Sequence, residues 1–196
     1  MDQPQLTELL LQSLEHERGG VKVYETALRC AKNADLRDEW SEYLEQTRNH
    51  VRVLTLACQR LKIDPESSTP GCKVVQSLGV ALVHAMELAR RAGDPAAAEL
   101  VACECVVLAE TKDHLDWELI AACGKNSKGE QAKILTEAAE EVEEQEDEHL
   151  YHTKGWCREL WLKSLGLKSV LPPPEERKHV TTAIGAVRAE QAAHPK

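Results

Sequence analysis

The sequence contains no phenylalanine, and Trp and Tyr together make up only 4% of its 196 residues. Such a chain cannot build its core from aromatic clusters and has to pack aliphatic side chains and alanine instead. Positive charge is also scarce: 24 Lys+Arg stand against 33 Asp+Glu, a net charge of −9, and no basic cluster interrupts the balance. A surface of that sign repels phosphate backbones and anionic headgroups, so neither nucleic acid nor a membrane is an expected partner. Every apolar run is broken by a charge or a histidine short of a membrane-spanning length, and Met1 to Glu8 carries no basic leader. A cytoplasmic location is the expectation.

No C-x-x-C pair occurs, and the seven cysteines (Cys30, Cys58, Cys72, Cys103, Cys105, Cys123 and Cys157) are odd in number and scattered, which argues against a disulfide framework. Cys103 and Cys105 point about 200° apart on a helix and cannot face one ion together. They read as small buried hydrophobes. Phosphate-binding glycine loops, zinc-knuckle spacings and nucleophile-base arrangements are missing as well, which removes the ground for a kinase or hydrolase.

Present instead are long stretches of Leu, Ala, Glu and Lys with sparse Gly and Pro, the composition of an all-α protein. The punctuation predicts a first helix from about Gln5 to Ala31, with Asp35 capping a second that ends near Leu61. A break from Ile63 to Gly71 precedes a helix over Cys72 to Ala92, Gly93-Asp94-Pro95 starts another over Ala96 to Cys123, and a last long helix covers Glu130 to Leu165. Two hairpins joined by one long crossover that holds its own helix is the connectivity of a ferritin-like four-helix bundle. Residues 1–166 form that bundle, and residues 167–196 a tail hinged at Pro172-Pro173-Pro174, with a weak helix over Val180 to Ala193.

Each long helix has an apolar stripe at three- and four-residue steps, and each stripe has polar intruders. Glu17 interrupts Leu10, Leu14, Val21, Tyr24 and Leu28. Thr47 and His50 interrupt Tyr43, Leu54, Ala57 and Leu61, with Gln46 leaning inward beside them. Glu110 and His114 interrupt Cys103, Val107, Trp117 and Ala121; Glu146 and His149 interrupt Leu135, Val142, Thr153 and Leu160. Glu17 lies 14 residues before Ala31, His50 15 after Asp35 and Glu110 13 before Cys123, so the intruders meet at one height. Buried carboxylates without a cation cost several kcal/mol each, and no Lys or Arg occupies these stripes at that level. Carboxylate and imidazole from facing helices suit iron or manganese, or zinc. The dense acidic run Glu140, Glu141, Glu143, Glu144, Asp147 and Glu148 is a solvated face, and His16 and His152 fall off their stripes and are expected at the surface.

The segment Asn33 to His50, with Leu44, Glu45, Thr47 and His50 in a Leu-Glu-x-Thr-x-x-His arrangement, resembles the second helix of small bacterial stress-associated ferritin-like proteins of the YciF type. The likeness runs from about Leu6 to Leu165 and extends to the wider ferritin-like superfamily of carboxylate di-metal proteins. That resemblance implies one Glu on the first helix, Glu-x-x-His on the second, one Glu on the third and Glu-x-x-His on the fourth. Glu17, His50, Glu110, Glu146 and His149 match it, while Thr47 stands where the second-helix carboxylate belongs. His114, one turn after Glu110, is a candidate to take over part of that role. What the resemblance implies for chemistry is iron binding with ferroxidase-type oxidation or peroxide consumption under stress.

Behind the ligands, Tyr24, Thr47 and Gln46 are the expected hydrogen-bonding support. Two functions stay open on the sequence: a metal-dependent oxidoreductase or iron-handling protein, and a non-catalytic helical interaction protein with a degenerate metal site. In the second, the Cys72 to Ala92 helix and the Trp156 and Trp161 region supply oligomer contacts. A homodimer is the expected assembly from the general frequency of soluble oligomers.

Overall fold

A computed structural model describes residues 1–195, so the last residue of the expected tail, Lys196, lies outside the described residues. Helix accounts for 82% of the structure, with no strand among the described residues. In chain order the helices are α1 (Gln3–Cys30), α2 (Ala34–Arg60), α3 (Pro70–Arg91), α4 (Pro95–Lys125), α5 (Gly129–Ser164), α6 (Pro174–Arg177) and α7 (Ala183–Ala193).

Short polar side chains start the helices by accepting otherwise unpaired backbone N–H groups. Asp2 accepts from Gln5, Thr69 from Cys72, and Asp94 from Ala96 and Ala97. For α2 the cap is Asn33, which accepts from Asp35 and Leu36, rather than the expected Asp35. Asp35 sits inside the first turn, where its charge meets the positive end of the helix dipole.

The helices α1, α2, α5 and α4 form a ring: α1 packs on α2 and α4, and α5 on the other side of both. Hydrogen bonds between Tyr24 and Glu110, Glu17 and Trp117, Gln46 and His149, and His50 and Gln145 fix neighbouring helices as antiparallel. That arrangement makes α2 and α4 run the same way, which the stretch containing α3 permits by crossing over and lying against α1 and α4. Inside the ring are two apolar clusters. Leu6, Leu10, Leu14, Leu54, Ile120 and Leu135 belong to one, and Val23, Ala27, Leu36, Trp40, Ala102 and Trp156 to the other. Each fully buried leucine contributes about 1.5–3 kcal/mol of transfer free energy.

Two surface expectations change. The helix α3 is long and apolar enough, by length and composition, to cross a membrane: Lys73, His84 and Glu87 do not outweigh the intervening Val, Leu and Ala, and Arg90 and Arg91 fall at its end. Much of that face is exposed, with Val74 at 61% and Val80 at 60%. Trp156 is fully buried, its indole N–H donated to Glu39, so it offers no docking surface, whereas Trp161 is exposed. The cysteines are free thiols, Cys123 and Cys157 half-buried and the rest buried, and burial pushes Cys58, Cys105 and Cys157 up to about 11.

The tail folds back along α5. Arg158 makes a two-pronged pair with Glu175 at 2.7 and 2.9 Å and also donates to the buried Glu159 at 2.9 Å. Glu159 accepts from the backbone of Val170 at 2.8 Å and faces His194 Nε2 at 2.8 Å. Gly155 lets this contact close: a Cβ there would stand 2.6 Å from Glu175 Oε2 and 2.9 Å from Pro173 Cβ. His152, expected at the surface, is buried under this tail, and His16 is half-buried with Nε2 3.0 Å from the carbonyl of Ala109.

Candidate metal centre

Between the two apolar clusters lies a polar layer to which the four long helices contribute. Glu17 from α1, His50 from α2, Glu110 from α4, and Glu146 and His149 from α5 are each at most 3% exposed. Their donor atoms fall within 4.8 Å of one another in two groups, Glu17 with His50 and Glu146, and Glu110 with Glu146 and His149. Glu146 belongs to both. Ligand atoms around an ion bound at roughly 2.0–2.2 Å stand about 3–4 Å apart, so the spacing is compatible with a cation in each group.

Hydrogen bonding fixes which atoms face inward. His50 Nε2 donates to Gln145 Oε1 at 2.8 Å and His149 Nε2 to Gln46 Oε1 at 2.6 Å, so the protonated nitrogen of each ring is directed away from the carboxylates. Both Nδ1 atoms then face inward. His50 Nδ1 lies 3.0 Å from Glu146 and 3.4 Å from Glu17; His149 Nδ1 lies 3.4 Å from Glu110 and 3.7 Å from Glu146. Neither Nδ1 has a hydrogen-bond partner, and Glu17 Oε2, Glu110 Oε2 and both oxygens of Glu146 are orphaned in the same way. Ring lone pairs and carboxylate oxygens facing each other in a dry interior repel, and a cation or a proton between them removes the repulsion. The orphaned donors fit a metal ion.

The other carboxylate oxygens are held. Tyr24 donates to Glu110 Oε1 at 2.8 Å, and Trp117 donates to Glu17 Oε1 at 2.8 Å. Burial and the Glu110 charge keep the Tyr24 phenol well above its ordinary range, so it remains a donor. Tyr43 stacks on His149 with ring centroids 4.1 Å apart, and its hydroxyl donates to Glu39 at 2.5 Å beside His152 Nδ1 at 3.1 Å.

Protonation of the polar layer follows from burial and mutual repulsion. In the metal-free chain burial alone would lower His50, but the Glu17 and Glu146 carboxylates outweigh it and hold the imidazole well above its usual range, so that a proton on Nδ1 does there what a bound cation would do. Burial raises Glu146 to about 6, whereas for Glu110 the His149 imidazole and the Tyr24 hydroxyl overcome burial and lower it.

Four residues, His114, Thr47, Gln145 and Asp113, differ from the sequence expectation. His114 is outside both donor groups and points its Nε2 at Asp147, 2.9 Å away. Thr47 is buried, but its hydroxyl donates to the Tyr43 carbonyl at 2.8 Å instead of serving a ligand. Gln46 takes the supporting role, accepting from His149, and Gln145 does the same for His50 without having been anticipated. Asp113 was missed altogether: it is 4% exposed, and burial together with Glu146, Glu17 and Glu110 pushes it well above the carboxylate range. The sign that would have revealed it is the step Glu110, Asp113, Trp117, which continues one face of α4.

No family model matches the chain, and no curated protein or solved structure matches it either.

Proposed function

We propose that this chain is a ferritin-like four-helix bundle that binds iron or manganese at Glu17, His50, Glu110, Glu146 and His149. The observation that carries the reading is the pair of imidazoles with Nε2 tied to glutamine oxygens and Nδ1 orphaned among carboxylates. A polar network built only for structure satisfies its own donors and acceptors, and this one leaves its inward atoms open.

Such an ion, when bound, supplies one-electron redox chemistry toward dioxygen or hydrogen peroxide, in keeping with ferroxidase-type oxidation or peroxide consumption. The chain's own part is to orient and insulate. Tyr24 and Trp117 aim one oxygen of Glu110 and Glu17, the glutamines set the imidazole tautomers, and the apolar clusters on either side exclude water.

The test is elemental analysis of protein purified from iron- and manganese-supplemented cells, together with melting temperature before and after adding Fe(II) or Mn(II). Expected are stoichiometric transition metal and a rise in melting temperature, since an ion that binds only the folded chain stabilises it by mass action. Metal-free protein whose melting is unmoved by either ion overturns the proposal.

A further inference from the structure

The start of α2, the middle of α5 and the tail enclose a cavity of about 510 Å³ whose lining residues lie outside both donor groups of the metal centre. Six carboxylates line it: Asp35, Asp38, Glu39 and Glu42 from α2, Glu148 from α5 and Glu176 from the tail. No Lys or Arg does, and among the described residues none of the six pairs with a Lys or Arg elsewhere. Their one ion pair joins Glu39 to His152.

Two of the lining residues hold acceptors that nothing meets. Tyr43 donates its hydroxyl proton to Glu39 at 2.5 Å and so accepts from His152 Nδ1 at 3.1 Å, which puts the ring hydrogen on Nδ1 and leaves a lone pair on Nε2. His152 is 4% exposed, and its Nε2 has no partner; neither has Glu176 Oε2. Buried acceptors of this kind destabilise the fold unless a donor reaches them. A primary ammonium brings three N–H donors and the missing positive charge together.

The shape of the cavity selects the kind of cation. Asp35, Asp38, Glu39 and Glu42 recur at three- and four-residue steps, so they form one acidic ridge about 10 Å long on α2. Among the described residues, three carboxylate or imidazole groups come within 4.8 Å of one another only in the metal centre, so the donors here do not cage a single bare ion. Separated charges along a ridge call for an extended cation. Pro172 and the ring of Tyr43 add apolar wall to the same cavity, which suits methylene groups and would be idle against a hydrated ion.

We propose that this cavity binds a linear aliphatic polyamine, one terminal ammonium at His152 and Glu176 and the remaining amines along the α2 ridge, with the methylenes against Pro172 and Tyr43. The ligand then bridges the tail to α2 and α5, the elements that frame the cavity.

The experiment titrates spermidine into the full chain at low salt by calorimetry and follows the backbone amides of His179 and Val180 by hydrogen exchange with and without it. Expected are one spermidine per chain and slower exchange at both amides. In Asp38→Asn/Glu42→Gln, which alters two exposed residues of the ridge, spermidine is expected to bind at least tenfold more weakly. Glu140→Gln/Glu144→Gln, the same loss of charge on the exposed face of α5, is expected to leave the affinity unchanged, and Mg(II) at matched ionic strength is expected not to displace the amine. Absence of binding, equal weakening in the two double variants, unmoved amides or displacement by Mg(II) each overturns the inference.

Discussion

Tyr24 on α1 donates its hydroxyl proton to Glu110 on α4 at 2.8 Å, and α4 reciprocates by donating the Trp117 indole N–H to Glu17 on α1 at 2.8 Å. In each helix the donor follows the carboxylate by seven residues, two turns along the same face. Each bond ties up one oxygen, Oε1, and leaves Oε2 buried without a partner.

Removing either donor should therefore unfix a ligand. Tyr24→Phe and Trp117→Phe are each expected to weaken Mn(II) binding roughly 10–100-fold, the usual cost of losing an outer hydrogen-bond partner of a metal ligand. Calorimetric titration of metal-free protein measures it. Unchanged affinity in both variants would show that the aromatic pair serves packing alone.

Because Glu146 belongs to both donor groups and Glu17 to one, their replacements should not be equivalent. Glu146→Gln is expected to lose retained metal entirely, while Glu17→Gln keeps ions on the Glu110 and His149 side. His114→Ala, which breaks the pairs with Asp147 and Glu118 outside the donor groups, is expected to retain the wild-type amount. Metal per chain after desalting ranks the three variants, and loss of metal in His114→Ala would restore that histidine to the site.

The legibility of these residues in sequence varied with how each helix is surrounded. On α1 and α5 the stripe reading isolates Glu17, Glu146 and His149 because one face is apolar and the opposite face charged. Helix α4 packs against α1, α3 and α5, so apolar residues surround it and the phase of its stripe is lost. Val107 and Ala121 are only half-buried, while Val106, Asp113 and Ile120 point inward, and this slip promoted His114 and hid Asp113. His152 was misread for another reason: the tail that buries it comes from distant sequence with no periodicity linking the two.

The docking of that tail rests on Arg158. Its partners Glu159 and Glu175 are 0% and 2% exposed at the side chain, whereas Arg158 itself remains 23% exposed. Taking the cation away leaves the buried Glu175 carboxylate unmatched, while Glu159 keeps the Val170 amide and His194; breaking a buried pair costs about 3–5 kcal/mol in closed sites. This tail can lift instead. Arg158→Ala is expected to release α6 and α7, seen as faster tryptic cleavage at Arg177 and Lys178, with metal content unchanged. Arg158→Lys should rescue only partly, since an ammonium cannot reproduce the two parallel bonds to Glu175.

Glu176 makes the same tail sensitive to pH. It lies in a cavity of about 510 Å³ shared with Asp35, Asp38, Glu39 and Glu42 from α2, Glu148 and His152 from α5, and His179 from the tail. Burial, and then repulsion from Glu39, raise its carboxyl from 4.5 to about 8. A carboxyl whose folded value lies above its unfolded one favours the folded state when protonated, so its contribution is complete below about 4.5 and fades as pH rises through about 8. Tail docking should loosen across that window. The backbone amides of His179 and Val180, which bond to the carbonyls of Glu176 and Glu175 at 3.0 Å, report it by hydrogen exchange corrected for intrinsic rate. In Glu176→Gln, which is neutral at every pH, their protection should stay level from about pH 5 to 8; the same decline in the variant would show that Glu176 is not its source.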